Sequence, residues 1–133
     1  MANEVVAHFL DHRVVKGQSL DVDPTKPTCH IRTADQSVVE VKLADLKALF
    51  FVRDLAGDPA KHDAAAISPA DARTRGAAVI ELEFTDGERL LALTVRYPPI
   101  KPFFFILPAD GTSNNVRILV NRAAVRDVRP ASP

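Results

Sequence analysis

Three of the four histidines, His8, His12 and His30, and the single cysteine Cys29 are the first residues whose types invite chemistry. A structural zinc site draws on closely spaced Cys and His ligands that converge on a tetrahedron. His8 and His12 are four apart, but they flank a hairpin in VVAHFLDHRVV, where that spacing does not bring two rings together. They read as strand-surface histidines, and no metal ligand is expected. Cys29 sits inside the strand-like run TCHIR, away from any helix N-terminus that would favour its thiolate. Ser19, Ser37, Ser68, Ser113 and Ser132 lack a G-x-S-x-G turn, and no G-x-G-x-x-G or phosphate-loop pattern occurs. Asp11, Asp45 and Asp86 have turn or cap roles open to them. No catalytic residue and no cofactor is therefore expected, and the chain reads as a non-enzyme. Cations are better placed: Arg53, Arg73 and Arg75 could serve phosphate, and Arg117, Arg122, Arg126 and Arg129 gather near the C-terminal end.

The elements that must position these groups are those of one domain or two very small ones, at 133 residues. Seventeen basic residues balance seventeen acidic ones, which disfavours bulk attachment to nucleic acid or anionic lipid. One cysteine permits no internal disulfide. The start, MANEVVAHFLDHR, has neither the basic nor the long apolar part of a signal peptide, and no apolar run suffices to span a bilayer. The expectation is a cytoplasmic protein with no membrane partner.

The chain is written twice. Val5–Ile31 laid over Ile80–Ile106, 75 positions later, puts Phe9 on Phe84, Asp11 on Asp86 and Ser19 on Thr94. Pro24, Lys26 and Pro27 fall on Pro99, Lys101 and Pro102, so P-x-K-P recurs in register. Past a two-residue insertion the match resumes, with Val41–Ala48 over Ile118–Val125. Each copy has the punctuation of five short strands. In the second, AVIELEFT alternates, Asp86-Gly87 makes a hairpin turn, and ERLLALTVRY is a long strand. PPIKP then blocks ladder pairing, FFFIL and VRILV flank a turn, RAA is one helical turn, and VRDVR closes the copy. The first copy repeats the plan through TCHIR, VVEVKL and KALFFV.

This order resembles the SH3-like or Sm-like small barrel. The expected fold is all-β: two tandem five-stranded barrels from an internal duplication, joined by an Ala-rich linker with a short helix, with separate barrels and one fused pseudo-symmetric pair both open. The divisions are 1–55 for the first repeat, 56–77 for the linker and 78–133 for the second repeat. In the linker, Ser68-Pro69-Ala70-Asp71 has the signature of a helix start.

LADLKALFFVRDLAGD, FTDGERLLALTVRY and FFFILPADGTSNNVRILVNRAAVRDV together resemble an uncharacterised bacterial domain family. Its blocks read FFVRD…G, FxDGE and PADxxSNNxRxxV, and its members often stand beside receiver or PilZ signalling domains. The resemblance implies a regulatory interaction module. This chain departs from it with Leu55-Ala56 where an aromatic and an acid are usual, and with Ala92 where Gly is usual. A PilZ-type cyclic-dinucleotide motif is missing. Asn114, Asn115 and Asn121 near Arg117 and Arg122 echo the RNA-binding loops of Sm proteins in composition only.

The functional expectation is a protein–protein interaction or adaptor module in bacterial signalling, with a protein partner or a homodimer. The alternative is a small-barrel module for a nucleotide, such as a cyclic dinucleotide, or for RNA. The candidate interaction residues are Phe103, Phe105, Tyr97 and Arg117, and the candidate loop residues are Asp110, Asn114 and Asn115. The run Phe103–Phe105 carries the argument. Side chains alternate along a strand, so one core takes about half of these rings and the rest need another surface.

Overall fold

The computed structural model describes residues 3–55, 67, 71–110 and 113–131. Ten strands make one antiparallel sheet. In the first half they are β1 (Asn3–Phe9), β2 (Val14–Ser19), β3 (Thr28–Arg32), β4 (Val38–Lys42) and β5 (Leu46–Val52). In the second half they are β6 (Ala78–Phe84), β7 (Arg89–Thr94), β8 (Phe103–Pro108), β9 (Asn115–Asn121) and β10 (Val125–Pro130). A 3-10 turn precedes the last strand of each half, at Leu43–Asp45 and Arg122–Ala124. The long strand expected to run to Tyr97 ends at Thr94, ahead of the proline pair that cannot donate to a ladder. Ser68, Pro69 and Ala70 of the expected linker helix lie outside the described residues. A 3-10 turn at Ala72–Arg75 follows, capped by the Asp71 carboxylate, which accepts from the Arg73 backbone N–H.

The sheet order is β10-β6-β7-β8-β9-β5-β1-β2-β3-β4. Each half thus runs fifth, first, second, third, fourth, and the halves join where β5 pairs with β9. Two separate closed barrels are not what forms: the sheet is continuous and open, with β4 and β10 as its edges. The reason lies in β5 and β9, which are apolar on both faces and bury each other's edges. Their register sets Leu49 against Leu119 and Phe50 against Ile118.

Backbone hydrogen bonds repeat between the halves. Phe9 N–H donates to Arg13 O as Phe84 N–H does to Glu88 O, and Leu43 N–H donates to Pro27 O as Arg122 N–H does to Pro102 O. The hairpin turns match too, with His12 at φ 72° and Gly87 at φ 92°. These bonds also correct the repeat. Thr28 pairs with Lys42, whereas Phe103 pairs with Asn121, so the displacement grows from 75 to 79 residues. The insertion is four residues, not two. A two-residue slip leaves every side chain on its own face, so the apolar pattern alone could not expose the error.

Two cores lie on the sheet and share the seam. The first holds Val5, Ala7, Phe9, Cys29, Ile31, Leu49 and Phe51, and takes Leu119 from β9. The second holds Ile80, Leu82, Phe84, Ile106 and Ile118, and takes Ala48 from β5. A smaller cluster of Val79, Leu93 and Ala109 is covered by Ile67. Lys47 on β5 adds a polar stitch, lying 2.8 Å from the Asp86 carboxylate and 4.6 Å above the Phe84 ring. Among the described residues, no helix is long and apolar enough to cross a membrane.

Candidate functional site

Prolines open the site. The loop after β2 contains Pro24 and Pro27, and the loop after β7 contains Pro98, Pro99 and Pro102. None of these can donate to a ladder. β2 and β3 pair only at Gln18↔Arg32, and β7 and β8 pair at Ala92↔Pro108 and Leu93↔Leu107. Both strand pairs therefore splay towards their loops, which lie on the same side of the sheet. Between them is a groove of about 730 Å³. One wall is Pro24–Pro27, the other Thr94–Arg96 with Pro99–Pro102, and Phe103–Phe105 complete it.

The groove is apolar with a cationic margin. Val95 is 84% exposed and Ile100 75%, values that packing within this chain does not account for. Lys26, Arg96 and Lys101 also line it and are exposed. None of the three makes a salt bridge or side-chain hydrogen bond among the described residues. Arg13, Arg73, Arg89, Arg126 and Arg129, by contrast, each have a carboxylate partner. Among the described residues, no aspartate or glutamate lines the groove. Asp23, next to it, turns its carboxylate onto Thr25, accepting from the backbone N–H at 2.8 Å and the hydroxyl at 2.7 Å. The Thr94 hydroxyl donates to Arg96 O at 3.1 Å. The carbonyls of Pro27 and Pro102 accept from Leu43 and Arg122. With these groups engaged, the side-chain recognition chemistry left among the described residues of the groove is apolar contact and positive charge, beside the main-chain edge of β8 that β7 leaves unpaired.

Phe103 and Phe105 are half-buried, pack against the first core and line the groove, while Phe104 joins the second core. The sister half thus takes part of the surplus rings, and the groove meets the remainder. Arg117 lies 4.2 Å over the Phe51 ring and 4.7 Å over the Phe105 ring. Its guanidinium braces the seam behind the groove. Tyr97 is exposed on the same loop as Ile100 but does not line the groove.

Asp110, Asn114 and Asn115 lie elsewhere, at the loop between β8 and β9. Asn114 clasps Asp54: its Oδ1 accepts from Asp54 N–H and its Nδ2 donates to Asp54 O, both at 3.0 Å. Arg53 Nε donates to Ser113 O at 3.0 Å, and Asn115 N–H donates to the Ser113 hydroxyl. Asp110 O accepts from Ser113 N–H. The FFVRD and SNN-x-R blocks are therefore two sides of one seam. Arg73 is similarly engaged, donating to the carbonyls of Pro108 and Ala109 and to the Asp71 carboxylate.

The groove residues Lys26, Arg96, Lys101, Val95 and Ile100 were missed as functional candidates. Their signal was the repeated P-x-K-P, which served only to align the copies.

The histidines disperse. His8 packs edge-on against Phe50, 4.7 Å between ring centroids, and burial lowers its pKa. No group of three His, Cys, Asp or Glu side chains suited to a metal occurs among the described residues. Burial pushes the Cys29 thiol up to about 11, which makes it a poor nucleophile at neutral pH. His30 Nδ1 lies 2.6 Å from Asp21 and its Nε2 3.6 Å from Glu40. The hydrogen bond to Asp21 raises the pKa of His30 and lowers that of Asp21. A raised folded-state value means that the pair supports folding below the ordinary histidine range. That support fades as pH rises through the raised value. In an NMR titration, His30 should show a midpoint above 6.5 that falls back on Asp21→Asn; an unchanged midpoint would refute the pairing.

An all-β chain whose two like halves share one sheet and frame a groove between matching loops defines the class. The chain belongs to a family of unknown function (DUF6982), whose model it matches over residues 1–131. Comparison with curated proteins and with solved structures returns no match.

Proposed function

We propose that the chain is a non-enzymatic protein-interaction module of a bacterial regulatory pathway, and that it docks a segment of its partner in the groove between the two P-x-K-P loops. The supporting observation is the groove itself. It is apolar, it carries exposed Val95 and Ile100, and three cations line it without salt bridges of their own. Exposed apolar surface rimmed by polar groups is the usual mark of a docking site. The strand order within each half, fifth, first, second, third, fourth, resembles the element order of an SH3-like or Sm-like small barrel, a fold whose loops commonly carry recognition. The resemblance to a family found beside receiver and PilZ domains supports a regulatory setting.

The test is site-specific photo-crosslinking in bacteria, with a photoreactive phenylalanine analogue placed at Ile100 or, as control, at Val38 on the β4 edge. A discrete protein adduct is expected from Ile100 and not from Val38. Val95→Asp should abolish that adduct without changing the melting temperature. No adduct from Ile100, together with a melting temperature raised by a cyclic dinucleotide or short RNA, would replace this reading with nucleotide or RNA binding.

A further inference from the structure

We infer that the groove selects a peptide segment in which carboxylates flank an apolar anchor. The inference rests on the groove being the docking site proposed above, and it names the chemistry of the occupant. Lys26 and Lys101 occupy equivalent positions in the two loops, so each half contributes the same cation to one groove. Arg96 adds a third, and among the described residues no lining carboxylate opposes them. The chain as a whole is neutral, so this local excess belongs to the groove rather than to the composition. The floor between the cations is Phe103–Phe105 with Pro99 and Ile100, which accepts aliphatic or aromatic side chains and offers little to hydrogen-bond.

The polar accounting decides between a peptide and a nucleobase. Base edges are read by donors and acceptors that converge on them. Here both threonine hydroxyls are engaged, four lining prolines have no N–H, and the carbonyls of Pro27 and Pro102 are occupied. The prolines supply no ladder donor, so strand addition is confined to the short stretch of β8 at Phe103–Phe105 that β7 leaves unpaired. Specificity then comes from side chains: an apolar residue in the groove, with acidic residues on either side reaching the two lysines.

The experiment uses the full chain, labelled with ¹⁵N, and three capped pentapeptides: Glu-Leu-Phe-Leu-Glu, its Gln-for-Glu analogue and its Lys-for-Glu analogue. The acidic peptide should shift the amides of Thr25, Lys26, Thr94–Arg96, Ile100, Lys101 and Phe103–Phe105. The Gln analogue should bind about tenfold more weakly at low salt, as expected for two exposed ion pairs. The Lys26→Glu/Lys101→Glu double variant should reverse the preference in favour of the Lys peptide, and Lys26→Gln/Lys101→Gln should remove it. Both variants change exposed side chains and should keep the wild-type melting temperature. Equal binding of the acidic and Gln peptides would overturn the acidic selection while leaving the groove as a docking site. A cyclic dinucleotide or oligoribonucleotide that shifted the same amides at lower concentration would overturn it in favour of a phosphate ligand. Groove amides silent to all three peptides, with crosslinking at Ile100 insensitive to Val95→Asp, would overturn the docking reading itself.

Discussion

Gly17→Ala should lower the melting temperature by about 10 °C, a loss of roughly 3 kcal/mol. Gly17 lies in β2 opposite Val5 and is buried. A Cβ there would stand 2.1 Å from the Arg32 carbonyl oxygen and 2.7 Å from Ile31 Cγ2. The first contact is with backbone, so no side-chain rotation relieves it. The β3 strand must move instead. β2 and β3 are joined only at Gln18↔Arg32, so that movement falls on the pair that holds β3 and β4 to the rest of the sheet. The second half carries Ala92 at the equivalent position, fully buried and paired with Pro108. Ala92→Gly is therefore the control, expected to cost only about 1 kcal/mol from the greater backbone freedom of glycine. Thermal unfolding followed by circular dichroism measures both. A Gly17→Ala protein melting within about 2 °C of the parent would show that β3 accommodates the methyl group.

The strands were legible because their signals are local. Alternation in AVIELEFT, the turn residues Asp86-Gly87 and the prolines after Thr94 act within a few residues of themselves, and the strands appear where those signals stand. The surplus of aromatics at Phe103–Phe105 was legible as a demand for a second surface. Which surface was not, because it depends on a pairing between residues far apart. β5 reads simply as an apolar strand, and nothing in LKALFFV names β9 as its neighbour. Whether the copies form separate barrels or one fused unit was open for the same reason, since each copy reads as complete by itself. The loop residues Asn114 and Asn115 looked suited to left-handed turn geometry. Asn114 proves to be a clasp on Asp54, a role visible only once β5 and β9 are side by side. The groove was hidden for the same reason: each P-x-K-P loop is one wall, and a wall alone has no volume.

The seam carries the second large effect: residues 1–55 alone should fail to fold, and so should residues 71–133. Without its sister the first half loses Leu119, fully within its core, and the packing of Phe103 and Phe105. One fully buried and two half-buried side chains amount to roughly 5 kcal/mol of apolar burial. A piece of 55 residues is expected to have a total stability of only about 3–8 kcal/mol, so little remains. The second half likewise loses Ala48 and the packing of Phe50. It also loses a partner for Asn121, whose buried Nδ2 donates to Leu46 O at 2.8 Å while its Oδ1 accepts from Ala123 N–H. Cutting the seam leaves an unpaired, two-faced apolar strand on each piece, the arrangement that drives aggregation. The outer edges of the intact sheet differ in kind. β10 presents Arg126, Asp127, Arg129 and Pro130 where β5 presents Lys47, Ala48, Phe50 and Phe51, and β4 presents Glu40 where β9 presents Leu119. Charge and proline on those edges disfavour the same pairing between molecules. Mixing the two fragments during refolding should therefore restore a single dispersed ¹H–¹⁵N spectrum close to that of the intact chain. Neither fragment alone should give one, and Leu49→Asp in the first fragment should prevent recovery. A dispersed spectrum from residues 1–55 by themselves would show that the first half is an independent domain and that β5·β9 is only a contact between two finished units.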